Sequence, residues 1–207
     1  MAKSGFLTLR GGKYRGKKIP IPAEGVRPTT DRARAQAFDL LALHFRHADG
    51  RARWTNARVL DAFAGTGALG LEALSRGARE LIFWDTGGPQ CQALTQIIKD
   101  LSGAKAKVQI TAQSKVQAQV QRQSALTPPP PPGRTPWDLI LIDPPYGKNM
   151  VQRSLDALRS SGWIGPETLI YAESEQTCAA PEGFKVIEER NNAQSHLRLL
   201  RLSLQGD

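Results

Sequence analysis

Val59-Leu60-Asp61-Ala62-Phe63-Ala64-Gly65-Thr66-Gly67-Ala68-Leu69-Gly70 runs from an apolar, strand-like stretch through a glycine turn into a helix-forming stretch. Its glycines follow the pattern GxGxxG, and Asp85 lies 20 residues beyond Gly65, after a second strand-like run, Glu80–Trp84. Glycines let a backbone come close to a ligand, and a carboxylate at the next strand end can hold both ribose hydroxyls. A dinucleotide enzyme carries the same fingerprint, and a turn that serves only helix packing is a further reading. Asp61 separates these readings. A carboxylate at the strand tip repels a pyrophosphate but suits a cationic ligand such as S-adenosylmethionine, with its ammonium and sulfonium. The expected cofactor contacts are Asp61, Phe63, Ala64, Gly65, Thr66, Gly67, Gly70 and Asp85.

Outward from this unit the chain alternates strand and helix. Arg58–Ala62, Glu80–Trp84, Lys107–Thr111 and Trp137–Ile142 read as strands. Ala68–Arg76, Pro89–Leu101 and Met150–Ser160 read as helices, and a weak helix is expected over Ser114–Gln123. Thr168–Ala172, Phe184–Glu189 and His196–Ser203 read as terminal strands. Such alternation predicts an α/β fold, a mostly parallel sheet with helices on both faces. Upstream, Thr30 is the expected N-cap of a helix to about Phe45, with Phe38, Leu41, Ala42 and Phe45 on its core stripe. Arg32 and Arg34 lie on its other faces and could reach a ligand. Five prolines, Pro128–Pro132, form an extended surface insertion.

A chain of 207 residues with 40% hydrophobic residues can bury a sizeable core, most simply in one domain. It has no apolar run of 18 residues, so no membrane-spanning helix is expected, and Gly5–Thr8 is too short an apolar run for a signal peptide. Two cysteines without a CxxC, and three histidines, argue against a disulfide scaffold or a metal site and for a reducing cytoplasm. The net charge of +9 is uneven: residues 1–58 hold 13 Lys/Arg against 4 Asp/Glu, and the remainder hold 15 of each. A concentrated basic segment attracts a polyanion through counterion release. Residues 1–28 read as a hairpin around Gly11-Gly12-Lys13-Tyr14-Arg15-Gly16, with Gly11-Gly12 supplying the turn. Lys13, Tyr14, Arg15, Lys17 and Lys18 put cations and one ring on a protruding element, suited to phosphate contact and base stacking. Arg10, Arg27, Arg32 and Arg34 complete the expected nucleic-acid contacts.

After the strand-like Asp138–Ile142 comes Asp143-Pro144-Pro145-Tyr146. Residues just beyond strand C-termini line the ligand crevice of a doubly wound sheet. The Asp143 carboxylate and Pro144 carbonyl can accept both hydrogens of an exocyclic amine. The nitrogen's lone pair is otherwise conjugated into the base, and two acceptors favour the tetrahedral, charged nitrogen of a methyl transfer. Pro145 stiffens the loop, and Tyr146 would stack on a base drawn out of its helix.

These residues resemble the bacterial RsmD family, which methylates the exocyclic N2 of a guanine in 16S ribosomal RNA. The likeness rests on Gly11–Lys18, Arg27-Pro28-Thr29-Thr30-Asp31-Arg32, Leu60–Ala78 with its Leu71-Glu72-Ala73-Leu74-Ser75-Arg76-Gly77-Ala78, and Asp138–Tyr146. It implies a Rossmann-like class I methyltransferase: a seven-stranded, mostly parallel sheet over residues 29–207, preceded by the small hairpin. It also implies S-adenosylmethionine as donor, ribosomal RNA or an assembling small subunit as partner, a monomer, and no metal or membrane. The family's acidic residue after the third strand has no counterpart in Ala112-Gln113-Ser114. An adenine-N6 methyltransferase on DNA or RNA, and an inactive nucleic-acid-binding homologue, fit the same motifs.

Overall fold

The computed structural model describes residues 5–21, 31–102, 117–145, 147, 149–175, 179–191 and 195–203. In chain order these form β1 (Gly5–Thr8), β2 (Lys18–Ile21), α1 (Asp31–His44), β3 (Arg58–Asp61), α2 (Ala68–Arg76), β4 (Glu80–Asp85), α3 (Gly88–Ser102), β5 (Gln117–Arg122), β6 (Leu139–Ile142), α4 (Met150–Ser160), β7 (Leu169–Ser174), β8 (Phe184–Asn191) and β9 (His196–Leu202). β1 and β2 pair as an antiparallel hairpin. The other strands form one sheet in the order β5-β4-β3-β6-β7-β9-β8. β5, β4, β3, β6 and β7 are parallel, and β9 and β8 close the far side antiparallel. The connections reverse direction between β3 and β6, so the carboxyl ends of those two strands open on the crevice such sheets use for ligands.

Burial sorts the strands. β6 and β7 are buried at every residue, as a strand covered by helices on both faces must be. One apolar layer joins α1, α2 and α3 to the sheet through Phe38, Leu41, Leu71, Leu74, Leu94 and Ile98. The other joins α4 to Trp84, Trp137 and Trp163 through Leu155 and Leu158. Gly70 shows how tightly α2 lies on the sheet: a Cβ there would sit 2.2 Å from the Phe83 ring. The hairpin is part of the same body, because Leu7, Leu9 and Ile19 belong to the first layer.

The third strand differs from expectation. The segment Lys107–Thr111 lies outside the described residues, and Gln117–Arg122, expected within a weak helix, is β5. Gln-Ala-Gln-Val-Gln-Arg is rich in helix formers, but among the described residues β5 is an edge strand with β4 as its one neighbour. An edge strand buries little, so Ala118 and half-buried Val120 suffice on the inner face. The proline run is a strap across the surface. Its carbonyls accept from Trp163 Nε1 at Pro129 (2.6 Å), Ser161 Oγ at Pro128 (3.2 Å) and Arg58 at Pro132 (2.9 Å).

Candidate functional site

The glycine turn is held by two carboxylates. Asp85, at the end of β4, accepts from Gly65 N (2.8 Å) with one oxygen and Gly87 N (2.7 Å) with the other. Asp61, at the end of β3, is 2% exposed and accepts from Gly70 N at 2.9 Å. Gly67 begins α2 in the left-handed region (φ 77°), where a side chain would also meet Leu94. Phe63 and Gly65 are half-buried and Ala64 and Thr66 buried, and the expected cofactor residues lie at the carboxyl ends of β3 and β4 and at the start of α2. Among the described residues, neither Asp61 nor Asp85 is paired with a lysine or arginine. Burial, with Asp85 nearby, pushes the Asp61 carboxyl up to about 7 against the pull of the Gly70 and Phe63 amides. An acidic cradle lined by amides, with no lysine or arginine paired to it among the described residues, fits a ligand that brings a cation, as S-adenosylmethionine does, and would repel a diphosphate.

Across the switch point, β6 delivers Asp143 (half-buried), Pro144 (buried) and Pro145 (exposed). The loop is tied to the glycine turn through the sheet: Ala62 N donates to Leu141 O at 3.0 Å. Tyr146 lies outside the described residues. β7 pairs with β6 from Leu139↔Leu169 to Ile142↔Ala172, so one further step of that register sets Asp143 beside Glu173. Glu173 is 7% exposed and accepts from Tyr171 Oη at 3.2 Å. No motif in the sequence marks it, although a carboxylate in the apolar run Leu169-Ile170-Tyr171-Ala172 is itself a signal, since such groups are rarely buried without a reason.

The third strand ends at Arg122, which stands opposite Asp85 in the β4–β5 register, and Gln123 and Ser124 follow it. Gln123 N donates to Asp85 O at 3.0 Å. The segment Ala112-Gln113-Ser114 lies outside the described residues and does not immediately follow β5. The physical reason is the edge strand already described.

The hairpin exposes Arg10, Lys13, Arg15, Lys17 and Lys18. Tyr14 is half-buried against the core, with the ammonium groups of Lys13 and Lys17 at 5.3 and 6.0 Å from its ring centroid. Gly12 has φ 72° and Gly11 is extended, so one of the two supplies the turn. A Cβ on Gly12 would lie 1.7 Å from Ser75 O, which is how closely the hairpin sits on α2. Ser75 Oγ donates to Gly11 O and accepts from Tyr14 N at 3.0 Å. Glu72, 1% exposed, accepts from Arg10 N (2.9 Å) and Arg76 Nε (3.0 Å). Glu72 and Ser75 escape a local reading of the sequence because their hairpin partners lie more than sixty positions away in the chain. Arg32 is exposed, whereas Arg34 is fully buried, donates to Thr8 O at 2.6 Å and has its Nε 3.9 Å from Glu72. Arg34 therefore stands inside the clamp and away from the surface where the sequence put it. Arg27 lies outside the described residues.

Among the described residues no helix is long and apolar enough to cross a membrane, and no three His, Cys, Asp or Glu are grouped to hold a metal ion. A family model described as "Conserved hypothetical protein 95" matches residues 7–201. The ribosomal RNA small subunit methyltransferase D of Escherichia coli K12 is 35% identical over 210 residues, covering 99% of this chain and 94% of its own. The protein of that name from Haemophilus influenzae is 31% identical over 199 residues, with 94% and 93% covered. A solved Escherichia coli structure described as a methyltransferase superposes with a TM-score of 0.75 at 31% identity, covering 97% of this chain and all of its own. The chain belongs to this family, the one that holds the small-subunit ribosomal RNA methyltransferases D, and its sheet is a methyltransferase fold.

Proposed function

We propose that the protein transfers a methyl group from S-adenosylmethionine to the exocyclic N2 amine of a guanine in 16S ribosomal RNA, free or in an assembling small subunit in the cytoplasm. The observation that carries the reading is the meeting of two unlike carboxylate sites at the switch point: the amide-lined pair Asp61 and Asp85, and the Asp-Pro-Pro loop. S-adenosylmethionine supplies a methyl group on a positively charged sulfur, which departs as a neutral thioether. Asp61 faces the cation, Asp85 accepts from ribose hydroxyls, and Phe63, Ala64, Gly65, Thr66, Gly67 and Gly70 form the floor. Asp85 already holds two backbone amides, so the same carboxylate shapes the turn and offers its remaining lone pairs.

Asp143 and the Pro144 carbonyl accept the two amine hydrogens and draw the nitrogen toward tetrahedral geometry. As the nitrogen–carbon bond forms, positive charge grows on the nitrogen beside the Asp143 carboxylate, which takes the proton the product sheds. Pro145 stiffens the loop, and Tyr146 stacks on the base. Residues 1–28 act as the RNA-binding unit: the cations of Arg10, Lys13, Arg15, Lys17 and Lys18, joined by Arg27 and Arg32, hold phosphates, and Tyr14 offers an edge to a base. Tritiated methyl transfer to unmodified small-subunit RNA and particles, followed by nucleoside digestion, tests the reading. N2-methylguanosine is expected. N6-methyladenosine would move the activity to adenine, and no transfer to either substrate would overturn it.

A further inference from the structure

We propose that Glu173 reads the N1–H of the target guanine and so selects guanine over bases that present a lone pair at that position. The inference rests on the guanine-amine reading above and deepens it. Continuing the β6–β7 register by one residue places Glu173 next to Asp143, on neighbouring strands about 4.8 Å apart. Strand alternation puts Glu173 on the same face of β7 as Tyr171, which packs in the layer that also holds Leu141 of β6. The last residue of β6 to face that way is Leu141, and the next in the alternation is Asp143. Both carboxylates therefore stand at the carboxyl edge of the sheet, on one face, beside the loop that takes the amine.

Glu173 is a costly residue to keep there. It is 7% exposed, and among the described residues the one hydrogen bond to its carboxylate comes from Tyr171 Oη at 3.2 Å, to one of the two oxygens. That bond fixes the carboxylate and leaves the second oxygen as an acceptor. A buried acceptor of this kind discriminates strongly, because a substrate lacking the matching donor leaves it unpaired. Guanine's Watson–Crick edge presents three adjacent hydrogens, two on N2 and one on N1. Asp143 and the Pro144 carbonyl take the first two, and Glu173 takes the third. Adenine presents a lone pair at N1 and would meet the carboxylate with repulsion. α1 directs its first turn to the same edge of the sheet. Its last turn is bound near the start of β6, where Arg53 N donates to Phe45 O (3.0 Å) and the Arg53 guanidinium reaches Asp138 (2.6 Å), so its first turn, with exposed Arg32, lies toward the carboxyl edge.

The test uses small-subunit RNA in which the guanine modified by the wild-type protein is replaced by 2-aminopurine, a base that keeps the N2 amine but has a lone pair at N1. The wild-type protein should prefer guanine by about 5- to 150-fold in kcat/KM, the range of a well-made base contact. Glu173→Gln should slow transfer to guanine and narrow that preference to a few fold, because an amide can donate to the bare N1, while affinity for S-adenosylmethionine stays within twofold. Glu173→Asp reads the same ratio if the amide variant fails to fold: its carboxylate is withdrawn by one methylene, so discrimination should fall. Equal use of both bases by the wild type, or wild-type discrimination in the variants, overturns the role of Glu173 and leaves the guanine reading standing. Wild-type transfer to adenine N6 overturns both.

Discussion

The basic hairpin and the acidic crevice share one helix and use it in different ways. The first turn of α2 closes the glycine loop over Asp61, and its later residues Glu72, Ser75 and Arg76 grip the hairpin. In the hairpin the charged ends are exposed and the backbone is clamped. In the crevice the charged ends are themselves clamped, buried or half-buried against backbone amides. The difference matches what the proposed function asks of each. A polyanion is held by summed charge at a distance, which needs no fixed side-chain geometry. An amine that must be made nucleophilic needs acceptors already aimed when it arrives. Under the proposed function, one rigid helix between the two would set the distance from phosphate grip to reacting amine.

The largest effect is expected where the two regions meet. Glu72→Ala removes the carboxylate that holds Arg10 N and Arg76 and faces buried Arg34. Breaking a buried ion pair costs about 3–5 kcal/mol, so the denaturant midpoint should fall steeply. Because Leu7, Leu9 and Ile19 share the sheet's core, hairpin and sheet should unfold in one transition. A separate early hairpin transition would break the picture of a common body. Asp143→Ala comes next and acts within the crevice alone. Losing one preorganised hydrogen-bonding partner of the developing charge should cost about 2.7–4 kcal/mol of barrier, or about 10²–10³ in turnover. The affinities for S-adenosylmethionine and RNA should hold. Turnover near the wild-type value would remove Asp143 from the chemistry.

Legibility in the sequence followed the same divide. Ala68–Arg76 and Met150–Ser160 are the observed α2 and α4, because apolar periodicity and glycine or turn boundaries agree there. The crevice was legible because its carboxylates stand at strand ends beside glycines and prolines, where local sequence dictates backbone path. β5 was not, because pairing with β4 rather than its own polar composition makes it a strand. Arg34 and Glu72 were misplaced or missed for a related reason. Each looks like a surface charge on an amphipathic helix, and only the docking of a segment from the start of the chain buries them. Long-range closure is what a local pattern lacks.

A smaller effect comes from Asp61. Its carboxyl, raised from 3.8 to about 7, binds a proton on folding across that window, so the ligand-free protein loses stability as pH rises through it. A cation in the crevice favours the ionised form and reverses the preference. Affinity for S-adenosylmethionine should therefore fall about tenfold from pH 8 to pH 6, with proton release on binding near pH 6.5. Calorimetry in buffers of different ionisation enthalpy measures both, and Asp61→Asn should abolish both while raising the melting temperature at pH 8. A flat affinity profile in the wild type would show that Asp61 does not face the ligand's positive charge.

The smallest effect per residue is expected on the hairpin, and it bears most directly on the contrast between the regions. Lys13, Arg15, Lys17 and Lys18 are exposed on an element whose backbone is fixed by Glu72 and Ser75. Neutralising one of them leaves the clamp, the core and the crevice untouched. Removing one phosphate-binding cation should flatten the plot of log affinity against log salt by roughly 0.7–0.9, the larger value for duplex RNA, and removing all four by about 3. Affinity for S-adenosylmethionine and the unfolding midpoint should stay at wild-type values, since none of the four is a partner of Asp61, Asp85 or Glu72. RNA affinity at several salt concentrations, for the wild type, Lys13→Gln and the quadruple variant, separates the possibilities. A slope that falls in proportion to the charges removed assigns the phosphate grip to the hairpin. An unchanged slope with lower solubility would make these cations a solvating surface and move RNA recognition to Arg32 and the rim of the Asp-Pro-Pro loop, leaving the clamp on α2 as a purely structural feature.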